Sequence, residues 1–141
     1  MIDRERLAEM FSRLVRIDSV SKEEKAISEE LCAILTSLDA DISQDDAGEK
    51  IGGQTGNIIA KFKGNVDVPP MFLNAHMDTV EPGRGVEPVL ENGVFSSKGE
   101  TILGADDKSA LAIILEVLWI IKEKQLPHGP LEVVFTQEMQ F

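Results

Sequence analysis

The stretch that decides the fold is MFLNAHMDTV, residues 71–80. Its first five residues, apolar but for Asn74, form a run of strand length, introduced by Pro69 and Pro70, which hold the chain extended. A mostly apolar run of this kind is expected of a central strand covered on both sides. The run ends in His76, with Asp78 two residues on. Alternation along an extended backbone points both side chains the same way. In that geometry an imidazole can offer one nitrogen to a metal while the carboxylate accepts the other N–H. His-x-Asp alone is a short pattern, and a hydrogen-bonded histidine at a strand end accounts for it equally well.

Outward from this strand, helices and strands alternate. Leu7, Met10, Phe11, Leu14 and Val15 fall at helical spacing, predicting an amphipathic helix over residues 3–17. Ser21 with Glu24 reads as a capping box for a second helix, whose apolar face is Ile27, Leu31, Ile34, Leu35 and Leu38. Cys32 is expected beside that face as a small apolar residue. Residues 45–56 are polar and glycine-rich, a loop, and NIIAKF (57–62) reads as a strand. VLENGVF (89–95) carries an Asn-Gly step between apolar residues and predicts a hairpin.

Residues 107–124 form a third helix, apolar nearly all round and therefore expected in the interior. LEVVFT (131–136) is the next strand, expected at or near a sheet edge. The whole predicts an α/β fold, a three-layer sandwich on a mixed, largely parallel sheet.

Composition narrows the function. The chain has 141 residues, 43% of them hydrophobic, enough for one domain with a core. A formal charge of −11, with no basic stripe, argues against a nucleic-acid partner, because phosphate binding depends on clustered Lys and Arg. The longest apolar run, Ala110 to Ile121, contains Glu116 and falls short of the roughly 20 residues of a membrane span. One cysteine and a charged N-terminal stretch lead us to expect a reducing, cytoplasmic location.

The second stretch with chemistry is GETILGADDK, residues 99–108. Its two glycines resemble a phosphate loop, but Ala105 and Asp106 stand where that motif needs Lys and then Ser or Thr. Asp106 and Asp107 open the third helix, where one aspartate serves as a cap and complements the helix dipole. Two exceed what a cap requires. In α/β sheets the loops at strand ends gather into the ligand crevice, which brings a strand-end histidine and a helix-opening carboxylate into one region. His128, in the turn PHGP, has no such company and is expected to be solvated.

LNAHMDTVEPG, ILGADDKSALA and HGPLEVVFT together resemble the co-catalytic zinc exopeptidases that include tripeptidase T, carboxypeptidase G and aminoacylase, with the peptidase T-like members nearest. The resemblance covers essentially the whole chain. It implies two zinc ions, with His76 as the first histidine ligand and Asp78 as the residue that orients it. It implies Asp106 as the carboxylate bridging the ions, with Asp107 following through a cis peptide bond. It implies a small peptide substrate and metal-assisted amide hydrolysis, in which a glutamate shuttles the proton of the attacking water.

The chain departs from the family at its last motif. The family pattern FTxxEE meets FTQEMQ (135–140), so that Met139 and Gln140 occupy the two glutamate positions. With a one-residue deletion Glu138 becomes the base and Met139 the ligand, and a thioether is a poor zinc partner beside oxygen and nitrogen donors. On this reading residues 1–141 are the N-terminal portion of a single catalytic domain, without the lid or dimerisation domain and the later ligands. Zinc binding is then expected to be weak or absent and catalysis lost. Self-association through an exposed sheet edge, and a related deacylase or carboxypeptidase activity, remain as alternatives.

Overall fold

The computed structural model describes residues 1–137. Helix α1 (Arg4–Val15) starts where the Asp3 side chain accepts from the Arg6 N–H, and it buries Phe11, Leu14 and Val15. Helix α2 (Lys25–Ser37) buries Ile27, Leu31, Ile34 and Leu35, as the spacing predicted. Its N-cap is Glu24, which makes no side-chain cap bond, so the expected capping box does not form and Ser21 is engaged elsewhere.

Strand β1 (Asp41–Gln44) was not legible, because DISQ is mostly polar and exposed. A short helix, α3 (Ala47–Ile51), interrupts the predicted loop. Strands β2 (Ile58–Phe62) and β3 (Met71–His76) follow, then the hairpin β4 (Glu87–Glu91) and β5 (Val94–Lys98). The hairpin turns on Asn92 and Gly93, both at positive φ (52° and 77°), the backbone that an Asn-Gly step tolerates. Helix α4 (Ala105–Lys124) and strand β6 (Leu131–Thr136) complete the described chain.

The main sheet has the order β1-β2-β6-β3, and β4-β5 forms a separate two-stranded sheet. The fold is α/β on a mixed sheet. Only β3 and β6 pair in parallel, while β1–β2 and β2–β6 are antiparallel. The expectation of a largely parallel sheet thus holds for one pair among the described residues. Residues 63–70 are too few for a parallel crossover, so β3 runs opposite to β2, whereas the connection containing α4 is long enough to return β6 parallel to β3. That return also places β6 between β2 and β3, inside the sheet and not at its edge.

Register puts Ile58, Ala60, Val133, Phe135 and Ala75 on one face, where all are buried with α1, α2 and α4 in one core. The opposite face carries Ile59, Val134 and Phe72, none of them buried, and Phe72 is 61% exposed. Of the three layers expected, two are present among the described residues, and β3 is covered on one side only. Helix α4 likewise has an exposed flank at Ile113 and Val117. Cys32 is half-buried beside the core as expected, and burial pushes its thiol pKa up. No described helix is long and apolar enough to cross a membrane.

Candidate functional site: a histidine and two aspartates at the end of strand β3

The C-terminal end of β3 is held by its pairing with β6. His76 lies opposite Thr136, and the Met77 N–H donates to the Thr136 carbonyl at 2.7 Å. His76 and Asp78 turn to the same side, as alternation required. Nδ1 of His76 is 2.9 Å from Asp78 Oδ1 and 3.0 Å from the Asp78 carbonyl oxygen, so Asp78 offers two acceptors to this ring nitrogen. Asp78 is itself buried, which keeps water from competing for that bond.

The second motif meets the first from α4. Gly104, at φ +87°, takes the left-handed turn that redirects the chain into the helix. Asp106 and Asp107 keep non-helical backbone angles and are joined by a cis peptide bond, as the resemblance implied. Their carboxylates take different jobs. Asp106 Oδ1 lies 2.9 Å from His76 Nε2, and its side chain is 93% exposed. Asp107 turns inward, and its Oδ2 accepts from the backbone N–H of His76 at 3.2 Å. One aspartate faces the cleft while its neighbour locks the helix start to the strand end.

Between them lies an open cleft of about 470 Å³, lined by Ser21, His76, Asp78, Thr79, Ile102 and Asp106 among others. Burial pulls the imidazole pKa of His76 down, but the Asp106 and Asp78 carboxylates outweigh it, and the net direction is up. The two carboxylates therefore favour positive charge at this point of the cleft, which is the sign a bound cation carries.

Sequence reading missed two participants. Ser21, assigned to a helix cap, donates from Oγ to Asp78 Oδ2 at 2.6 Å. Lys108, to which the sequence reading gave no role, is buried and reaches the Ile17 carbonyl at 2.6 Å. A lysine directly after a carboxylate pair, at the start of a largely apolar helix, was the available signal. Glu138, the candidate base, and Met139 lie outside the described residues. His128 is half-buried rather than solvated, with Nδ1 2.7 Å from the Gly129 carbonyl oxygen, and it lies apart from this cleft.

The donors suit zinc in kind, an imidazole nitrogen and a carboxylate oxygen converging on one point. They do not suffice in number. A zinc site normally takes at least three protein ligands, and among the described residues no group of three or more His, Cys, Asp or Glu is placed to hold a metal. The described residues therefore fit part of a zinc site and not a whole one.

Comparison with known proteins gives this cleft its context. No protein-family model matches the chain. The protein YqjE of Bacillus subtilis is 41% identical over 136 residues, 96% of this chain and 37% of that protein. Peptidase T of Citrobacter koseri is 31% identical over 104 residues, 70% of this chain and 23% of its own length. The crystal structure of a tripeptidase from Staphylococcus aureus superposes with a TM-score of 0.93 at 40% identity, over 96% of this chain and 36% of that one. The chain belongs to the peptidase T-like family. This peptidase T-like chain spans between 23% and 37% of the length of these relatives. Its α/β fold is the tripeptidase fold over the matched part, and its His-x-Asp and Asp-Asp motifs fall within that part.

Proposed function

We propose that this peptidase T-like chain carries the first half of a two-zinc peptidase site, with His76 and Asp106 as metal ligands and Asp78 orienting His76. The observation that carries the reading is the 2.9 Å approach of His76 Nε2 to Asp106 Oδ1, with Asp78 on the far nitrogen of the same ring. Zinc, when bound, acidifies a water and polarises the scissile carbonyl of a small peptide. The residues of this chain hold the imidazole in one orientation and present a carboxylate to the same point. In this reading residues 1–141 are the N-terminal portion of one catalytic domain, and the remaining ligands come from polypeptide outside the described residues. On this reading the chain taken by itself is inactive, because the two donors among the described residues hold zinc too weakly to keep it in place. A cytoplasmic location accords with its single cysteine.

The experiment joins the chain to the remainder of a longer relative such as the tripeptidase. The hybrid is expected to cleave tripeptides only with zinc present, and His76→Ala or Asp106→Ala should abolish cleavage. Calorimetric titration of the hybrid with zinc should show these variants losing more than about a hundredfold in affinity, beyond what outer-shell changes cost. A folded hybrid whose zinc affinity ignores both substitutions would defeat the proposal. Substrate choice within the class, peptidase against deacylase or carboxypeptidase, would follow from the same hybrid's preference among amides.

A second reading has one observation in its favour. β3 is the last strand of the sheet among the described residues, and its Met71 and Phe72 are both more than half exposed. An apolar, unpaired strand edge recruits another strand, which fits an assembly module. Sedimentation showing a monomer at high concentration would remove this reading.

A further inference from the structure

The two halves of the site are joined by a third segment that neither motif contains. Residues 17–21, between α1 and α2, run along the cleft, which Ser21 helps to line. The Thr79 N–H donates to the Ser19 carbonyl at 2.9 Å, the Ser21 N–H donates to the Thr79 carbonyl at 3.1 Å, and Val20 bridges Thr79 in parallel register. These bonds fix the backbone of Ser21 against the residue that follows Asp78. At the other end of the segment, the Ile17 carbonyl receives the ammonium of Lys108, two residues beyond Asp106.

Within this frame the Ser21 hydroxyl lies 2.6 Å from Asp78 Oδ2, while the other oxygen of the same carboxylate, Oδ1, lies 2.9 Å from His76 Nδ1. A carboxylate gripped at one oxygen cannot rotate about its Cβ–Cγ bond without breaking that bond. We propose that Ser21 is a positioning residue, whose hydroxyl holds the Asp78 carboxylate so that the proton of neutral His76 sits on Nδ1 and Nε2 keeps its lone pair on the Asp106 side. This rests on the reading of His76 as a ligand only for its purpose, since the arrangement itself exists in the metal-free chain. The competing acceptor is Asp106 on the opposite nitrogen, which would draw the proton to Nε2 and so remove the lone pair that a cation needs. Asp106 is almost fully exposed and weakly constrained, whereas Asp78 is buried, so a fixed Asp78 wins the proton.

The test reads the tautomer directly. The chain has two histidines, and long-range ¹H–¹⁵N correlation spectra of the metal-free protein, above the imidazole titration range, separate Nδ1–H from Nε2–H for each. His76 is expected as the Nδ1–H form. Ser21→Ala should move it to a mixture containing Nε2–H and leave His128 unchanged, and Ser21→Thr, which keeps the hydroxyl, should restore the original form. A loss of packing alone would not be rescued in that order, and amide spectra of each variant check that the fold is kept. The same tautomer in wild type and Ser21→Ala, or a Ser21→Thr variant no different from Ser21→Ala, would overturn the proposal. Because no metal is present, this outcome is independent of whether the protein binds zinc.

Discussion

The ammonium of Lys108 donates to the carbonyl oxygen of Ile17 at 2.6 Å, tying the first turn of α4 to the chain that leaves α1. The lysine is 2% exposed, and burial pulls its pKa from 10.5 to about 8 against the opposing charge of Asp18. The folded state therefore holds this proton less tightly than the unfolded state does.

The sign of the pH dependence follows. Between pH 8 and 10.5 the unfolded chain keeps a proton on Lys108 that the folded chain has lost, so stability rises with pH across that window. The contribution is fully present above 10.5 and lost as pH falls through 8, with a total of roughly 3 kcal/mol. Urea denaturation of the wild type and Lys108→Met over this range should give a difference of that size in the pH-dependent rise. Parallel curves for the two proteins would contradict the assignment.

Arg6 makes a two-pronged contact with Glu116, at 2.8 Å from Nε and 2.7 Å from Nη2, and also pairs with Glu123. Its guanidinium carbon lies 5.6 Å from the centre of the Trp119 ring. Glu116 is the one charge in an apolar run, and Arg6 is what makes it tolerable, since a buried carboxylate without its cation costs about 3 kcal/mol or more. Arg6→Met should destabilise by about that amount, and Arg6→Met with Glu116→Met should recover most of it. Urea midpoints of the two single variants and the double variant decide the matter. A double variant as unstable as the sum of the singles would show that the pair is not coupled.

The two faces of the sheet should respond oppositely to truncation. Phe135 is fully buried, and Phe135→Ala is expected to cost about 3–5 kcal/mol. Phe72 is one strand away but on the uncovered face, and Phe72→Ser should change stability by no more than about 0.5 kcal/mol. A large loss at Phe72, measured by thermal or urea unfolding, would mean that this face is covered in solution.

Local spacing settled much of this protein in advance. The period of 3.6 placed Phe11, Leu14, Ile27, Leu31 and Leu35 inward on their helices, and the Asn92-Gly93 step made the hairpin. The period of two put His76 and Asp78 on one side, because neighbouring dihedrals are fixed by covalent geometry and sterics over a few residues. What repetition along the chain could not encode was decided by long-range pairing. The return of β6 between β2 and β3, the open face at Phe72, the 2.9 Å meeting of His76 with Asp106 thirty residues away, and the hydroxyl of Ser21 on Asp78 depend on which segments the core brings together. Ser21 with Glu24 had the pattern of a cap, but the buried Asp78 carboxylate takes the hydroxyl instead, and only the folded chain could bring that carboxylate within reach.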